Sequence, residues 1–195
     1  AELVATDERD AIEATGESRR RTFFIAALPG SLGLDESNDL LNPTTGFRLL
    51  GRVSPEISFQ GGTFPYARMQ IDASAYRPVS SNVVAAGRIR LGSILGAERD
   101  DIAPSRRFYS GGGGSVRGYG YQRIGPRDID NDPIGGRSLA EFSLEARIRL
   151  SALGGNFGVV PFIDGGTLST DALPDFKDWQ IGVGIGARYY SSFGP

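Results

Sequence analysis

Apolar and polar residues alternate one for one along most of this chain. Near the C-terminus Trp179, Ile181, Val183, Ile185, Ala187 and Tyr189 fall on one side of an extended segment. Gln180, Gly182, Gly184, Gly186, Arg188 and Tyr190 fall on the other. Likewise Phe142, Leu144, Ala146, Ile148 and Leu150 oppose Glu141, Ser143, Glu145, Arg147 and Arg149. A third segment sets Ala67, Met69, Ile71, Ala73 and Ala75 against Arg68, Gln70, Asp72, Ser74 and Tyr76. A period of two belongs to β-strands, whose successive side chains point to opposite faces. The same pattern predicts strands over Thr22–Leu28, Phe47–Ser54, Val83–Leu91 and Gly158–Asp164, and a weaker one over Glu2–Thr6. That makes roughly seven or eight strands of about 7 to 12 residues, the length of tilted membrane strands. Turn-forming clusters separate them at Asn42–Gly46, Arg77–Asn82 and Leu153–Asn156. No amphipathic helix is predicted, and the longest connection, 94–136, exceeds any ordinary hairpin loop.

The charged rows are too dense for a dry core and fit a wide, wet lumen. No run of about 18 apolar residues exists, which excludes a transmembrane helix and leaves a transmembrane barrel open. Mean hydropathy is -0.19, as expected where lipid-facing and lumen-facing residues alternate. A soluble antiparallel sandwich alternates in the same way, so periodicity by itself leaves both architectures open. With neither histidine nor cysteine among 195 residues, the chain cannot build a Ser-His-Asp triad, a thiolate nucleophile, a disulfide or a zinc site of the usual ligand types. A net charge of -2 implies no field-driven binding to nucleic acid. Ala1 opens the chain with no basic and apolar leader pattern after it, which suggests a piece of something larger.

One stretch stands out chemically. Gly111-Gly-Gly-Gly-Ser-Val-Arg-Gly-Tyr-Gly-Tyr121 places a single arginine, Arg117, among glycines and aromatics within the long connection. Such an arginine asks for acidic partners, and Glu145 and Asp164 lie where alternation points both to the polar side. Glu145 also has Arg147 and Arg149 on its own strand face as ordinary wall partners. Gly182-Val-Gly-Ile-Gly-Ala187 fits a loose dinucleotide pattern but sits inside an alternating strand. Asp128, Asp130 and Asp132 open like a calcium loop, yet Pro133 takes the glycine position and Leu139 the glutamate position. No cofactor, metal or catalytic residue is expected.

At these residues the chain resembles the bacterial surface antigen family, the BamA and TamA class of outer-membrane assembly proteins. Val116-Arg117-Gly118-Tyr119 matches the family's sixth-loop motif. Gly135-Gly136 with Ser143-Leu144-Glu145 matches the strand that follows, and Phe162-Ile-Asp164-Gly-Gly166 the next one. The resemblance extends over most of the chain and implies an all-β antiparallel fragment of a sixteen-stranded transmembrane barrel. In that reading residues 1–195 are its C-terminal portion, the loop 94–136 folds into the lumen, and POTRA domains and the final strands are absent. The resemblance further implies a structural latch of Arg117 with Glu145 and Asp164, with Val116, Gly118 and Tyr119 shaping the loop and Phe162 and Gly166 its strand. The segment from Arg107 to Arg117 and the residues 124–136 look most like TamA. That implies a bacterial outer-membrane protein acting on unfolded clients such as autotransporters, with outer-membrane lipids and an inner-membrane-anchored TamB-like protein as partners. A BamA-like general insertase and a passive outer-membrane pore or surface barrel are the alternatives. A barrel fused to a lipase-like domain is a further one, which a Gly-x-Ser-x-Gly elbow upstream would mark. The fragment by itself is expected to lack insertase activity.

Overall fold

The computed structural model describes residues 1–12, 15, 17–151 and 156–191; the expected turn residues 153–155 and the last four residues lie outside them. Nine strands carry the alternating segments. They are β1 (Glu2–Ala11), β2 (Ser18–Ala27), β3 (Gly30–Asp35), β4 (Gly46–Phe59), β5 (Thr63–Ser80), β6 (Val83–Leu95), β7 (Ser138–Arg149), β8 (Phe157–Ser169) and β9 (Gln180–Tyr189). All lie in one antiparallel sheet of order β1-β2-β4-β5-β6-β7-β8-β9, with β3 also paired to β4. Strands β1 and β9 are its two edges.

β2 and β3 are one line of chain interrupted at Pro29. Ala27 opposes Glu56 and Gly30 opposes Val53, so the register against β4 passes through the gap unchanged. Proline has no N–H to give to the ladder, which breaks the pairing there. The nine strands therefore lie along eight lines, matching the upper end of the expectation. The expected turn Arg77–Asn82 is a turn only at Ser81–Asn82, since β5 runs on in pairing with β6 to Ser80, and two stretches escaped the sequence reading. Residues 30–35 are rich in glycine, and β1 runs on to Ala11 through Asp7, Glu8, Arg9 and Asp10, whose charges occupy both faces and erase the alternation.

The sheet's two faces differ sharply in chemistry. Across one, Arg48, Ser74, Arg88, Ser143 and Asp164 stand side by side on successive strands, and Asp72, Arg90 and Glu141 form the next row. Across the other run Ala73, Ile89, Phe142, Gly165 and Ile181. Much of this second face is uncovered, with Leu144 at 55%, Val183 at 72% and Ile185 at 78% exposure. In water such a face costs about 25 cal/mol per Å², and a hydrocarbon surround removes that cost. Aromatic pairs bracket it at two levels, Phe142 with Trp179 at 5.3 Å and Phe157 with Tyr189 at 5.1 Å. From Trp179 to Tyr189 the strand rises about 23 Å at about 3.3 Å per residue and about 45° tilt, close to the apolar band of an outer-membrane barrel. No helix among the described residues is long and apolar enough to cross a membrane; this chain crosses with strands.

The polar face, read from its charged rows as a wet lumen wall, is dry at one end. At the end where the long connection emerges, Tyr66, Ile94, Leu139 and Leu168 point to this face. They pack with Ala97, Ile102 and Phe108 of the connection. A smaller cluster joins Phe23 and Ile25 to Ala103. The core thus lies between a loop and one end of a sheet. Strands β6 and β7 trim the connection to 96–137, with single 3-10 turns at Arg99–Asp101 and Pro104–Arg106.

At the opposite end the connection 36–45 is held by side chains bonding to backbone. The Asn38 amide oxygen accepts from the N–H groups of Thr44 and Thr45 at 2.9 and 3.0 Å. Asp39 accepts from Leu41 and Asn42 at 2.8 and 2.7 Å. The Asn42 and Leu41 N–H groups hold the Asp39 carboxyl below the usual carboxylate range.

Candidate functional site

The chain returns from the long connection to the polar face through Val116–Tyr119, and each of these four residues has a seat on β7, β8 or β9. Val116 is fully buried and lies over Gly166, where a Cβ would stand 2.7 Å from its Cγ2. Gly118 takes a left-handed backbone with φ of 92°, which turns the chain after Arg117. The Tyr119 hydroxyl donates to the Ile181 carbonyl at 3.2 Å.

Arg117 makes the densest set of contacts. Its Nε donates to Asp164 Oδ2 at 2.7 Å and its Nη2 to Asp164 Oδ1 at 2.8 Å, a bidentate fork. The backbone N–H of Arg117 adds a third bond to the same carboxylate at 3.0 Å. Nη1 donates to Glu145 Oε2 at 2.9 Å and Nη2 to Ser143 Oγ at 3.0 Å. Below the guanidinium lies the Phe162 ring, 3.7 Å from Cζ to centroid. Pairing explains the placement: Ser143 opposes Asp164 and Glu145 opposes Phe162, so adjacent rows of β7 and β8 present two carboxylates, a hydroxyl and an aromatic face to one guanidinium. Hydrogen bonds to Asp164 and then Glu145 raise the Arg117 pKa, against the opposing effect of burial, so it stays charged.

The two carboxylates differ in solvation. Asp164 is fully buried and the Glu145 side chain is 17% exposed; both line a cavity of about 220 Å³ with Ser74, Arg88 and Arg147, room for several waters at about 30 Å³ each. Glu145 does not choose between loop and wall. Its Oε1 accepts from Arg147 Nε at 2.8 Å while Oε2 holds Arg117. Arg147 in turn donates to the Pro43 carbonyl at 3.1 Å.

Two further anchors hold the connection, and neither was singled out from the sequence. Glu141, fully buried, accepts from Ser110 Oγ at 2.7 Å, from Ser115 Oγ, and from Arg90 Nη1 at 3.3 Å. Arg88 donates to the carbonyls of Gly114 and Ser115 at 2.8 and 2.7 Å. Alternation does put Glu141 on the Glu145 face, so its position was readable though its partners were not. The other anchor is Asp10, whose oxygens receive Arg107 Nη1 and Nη2 at 2.6 and 2.8 Å and Arg21 Nη1 at 3.1 Å. Arg99 stands 3.7 Å away. Nothing local in the sequence marked Asp10.

The acidic loop at 128–132 folds on itself: Asp128 Oδ1 accepts from the Asp132 N–H at 2.7 Å and Asn131 takes a φ of 64°. Among the described residues no group of three or more acidic side chains is arranged to hold a metal ion.

Gly182 on β9 gives a direct test of how closely the loop is seated. A Cβ there would lie 2.0 Å from the Arg117 carbonyl oxygen, a backbone atom that cannot swing aside. Gly182→Ala is expected to push the loop from β9 at a cost of about 1–3 kcal/mol. Limited proteolysis should then cut within 111–121 faster than in wild type while the strands stay protected. Unchanged cleavage would mean that the loop does not rest on β9.

The model of the Omp85 superfamily domain matches residues 3–195. A protein of Nitratidesulfovibrio vulgaris (strain Hildenborough), named outer membrane protein assembly factor BamA, is 33% identical over 139 residues, which is 69% of this chain and 17% of that protein. The crystal structure of BamA from Haemophilus ducreyi lacking POTRA domains 1-3 superposes with a TM-score of 0.71 at 22% identity, over 92% of this chain and 38% of that one. The second likeness is one of fold. This chain spans under two fifths of either relative's length.

Proposed function

The chain belongs to the Omp85 superfamily and is part of a bacterial outer-membrane β-barrel; on that premise we propose that it is the loop-bearing portion of an outer-membrane protein assembly factor. In this reading the 96–137 connection lies inside the barrel and the Arg117–Asp164–Glu145 cluster latches it to the wall. The observation that carries the reading is the three-bond seat of Arg117 on buried Asp164. It fixes the loop tip by charge-assisted hydrogen bonds, beside the apolar seat of Val116. A latched loop holds the wall in register, while client strands pair with an exposed strand edge elsewhere in the complete barrel. The loop sequence at 107–117 and 124–136 supports a TamA-like branch with autotransporter clients and a TamB-like partner. The curated relative's name supports a BamA-like general insertase as the second reading.

The test uses the full-length parent in lipid vesicles, offered an unfolded autotransporter barrel and, separately, an unfolded small closed barrel. Wild type is expected to accelerate insertion of the autotransporter, and a preference for it over the small barrel selects the TamA-like branch. Arg117→Ala and Asp164→Arg should each lower insertion, and Arg117→Asp combined with Asp164→Arg should restore part of it. A folded wild-type barrel that accelerates neither client would leave a passive pore as the better account.

A further inference from the structure

Below the latch, the polar face of β7–β9 carries positive charge that the described chain does not answer. Arg149 on β7 opposes Gly158 on β8, which opposes Arg188 on β9, so the two arginines share one lateral row. The Tyr190 ring lies over the glycine between them: a Cβ at Gly158 would meet a ring carbon at 3.1 Å and the hydroxyl at 3.3 Å. Arg149 Cζ stands 4.2 Å from the centroid of that ring and Arg188 Cζ 5.9 Å. Stacking engages a guanidinium's face and leaves its N–H edge free to bind.

Neither arginine has a carboxylate partner among the described residues. The nearest acid on β7, Glu145, already has one oxygen on Arg117 and the other on Arg147. This wall therefore holds Arg147, Arg149 and Arg188 against one engaged carboxylate, in a chain whose net charge is -2. The excess is directional. At its other end the β8–β9 hairpin carries Asp171, Asp175 and Asp178 with one lysine.

We infer that the Arg149–Tyr190–Arg188 row is a binding site for an acidic, extended polypeptide segment at the short-turn end of the barrel interior. Charge complementarity sets the partner's sign. The face excludes lipid headgroups as the source, because the row lies opposite the apolar face that carries Leu144, Ile163 and Ile185. The row spans two strand spacings, about 10 Å, so the partner presents carboxylates at about that separation. Tyr190 holds the two forks in place before binding, which reduces the ordering that binding requires.

The experiment uses the full-length parent folded in detergent and a short fluorescent peptide alternating glutamate and threonine, compared by anisotropy with the same peptide carrying glutamine. The acidic peptide is expected to bind about tenfold more tightly, through charge-assisted hydrogen bonds, and to weaken with salt. Arg149→Gln with Arg188→Gln should abolish the preference, and Arg149→Lys with Arg188→Lys should retain part of it. Equal binding of the two peptides to wild type overturns the inference without recourse to any variant; this is also the result if the rest of the barrel already supplies the carboxylates. Complete competition by inorganic phosphate at the peptide's own concentration would make the row a general anion site and overturn the polypeptide assignment. None of these outcomes depends on the insertion assay, so this site and the assembly reading fail separately.

Discussion

Asp164→Ala is expected to lower the stability of the folded barrel by about 3–5 kcal/mol and to release the loop that it holds. Asp164 is wholly buried and accepts three bonds from one residue, the Arg117 backbone N–H, Nε and Nη2. Removing the carboxylate strands a backbone donor and half of a guanidinium beside a polar wall. Because the cavity beside Glu145 lets water reach part of Arg117, the loss should fall toward the lower end of that range. Arg117→Ala should cost at least as much, since it strands the fully buried partner. Glu145→Gln should cost only about 0–1 kcal/mol, because that side chain is partly exposed where Asp164 is not and a glutamine can keep hydrogen bonds there. The readouts are the temperature at which the barrel loses its compact mobility in a detergent gel and protease access to 111–121. Wild-type melting with a protected loop in Asp164→Ala would show that this pairing does not hold the loop.

Asp10→Ala is expected to be of similar size, about 3–5 kcal/mol, and to act at the other end of the sheet. Asp10 takes Arg107 and Arg21 within 3.1 Å and has Arg99 at 3.7 Å, where Arg99 is also paired with Asp100. Arg107 is itself buried, with its remaining donors on the Ile102 and Ile134 carbonyls. Without Asp10, the buried Arg107 guanidinium loses its carboxylate and β1 loses its buried ion-pair tie to the connection, keeping the bonds of Glu8 to Ser105. Hydrogen exchange should rise in β1 and in 99–109 while β7 and β8 stay protected. Replacing Arg107 with Met in the same protein should recover part of the loss, because an apolar pair of similar volume is close to neutral where half a charge pair is not. Additive losses in the double variant would sink the claim that the two residues act as one unit.

Alternation placed the strands, and together with the family resemblance it led to a membrane barrel and to Glu145 and Asp164 as partners for Arg117. Period-two alternation alone separated the lipid-compatible face of Leu144 and Ile185 from the charged face of Glu145 and Arg147, because in a strand the side of each residue follows from its parity. Parity also put Glu145 and Asp164 on the same side, and the absence of histidine and cysteine removed most catalytic chemistry. Beyond the Arg117 partners that the family resemblance implied, the sequence did not decide which distant parts of the chain meet. Asp10 and Arg107 lie far apart along the chain, and only the packing of the connection against β1 joins them. The dry core around Ile94 and Leu168 was invisible for the same reason, since burial there comes from a loop with no period of its own. The continuity of β2 and β3 through Pro29 likewise appears only against β4. Local alternation is fixed by backbone geometry residue by residue, whereas a loop's contacts are chosen by the whole fold.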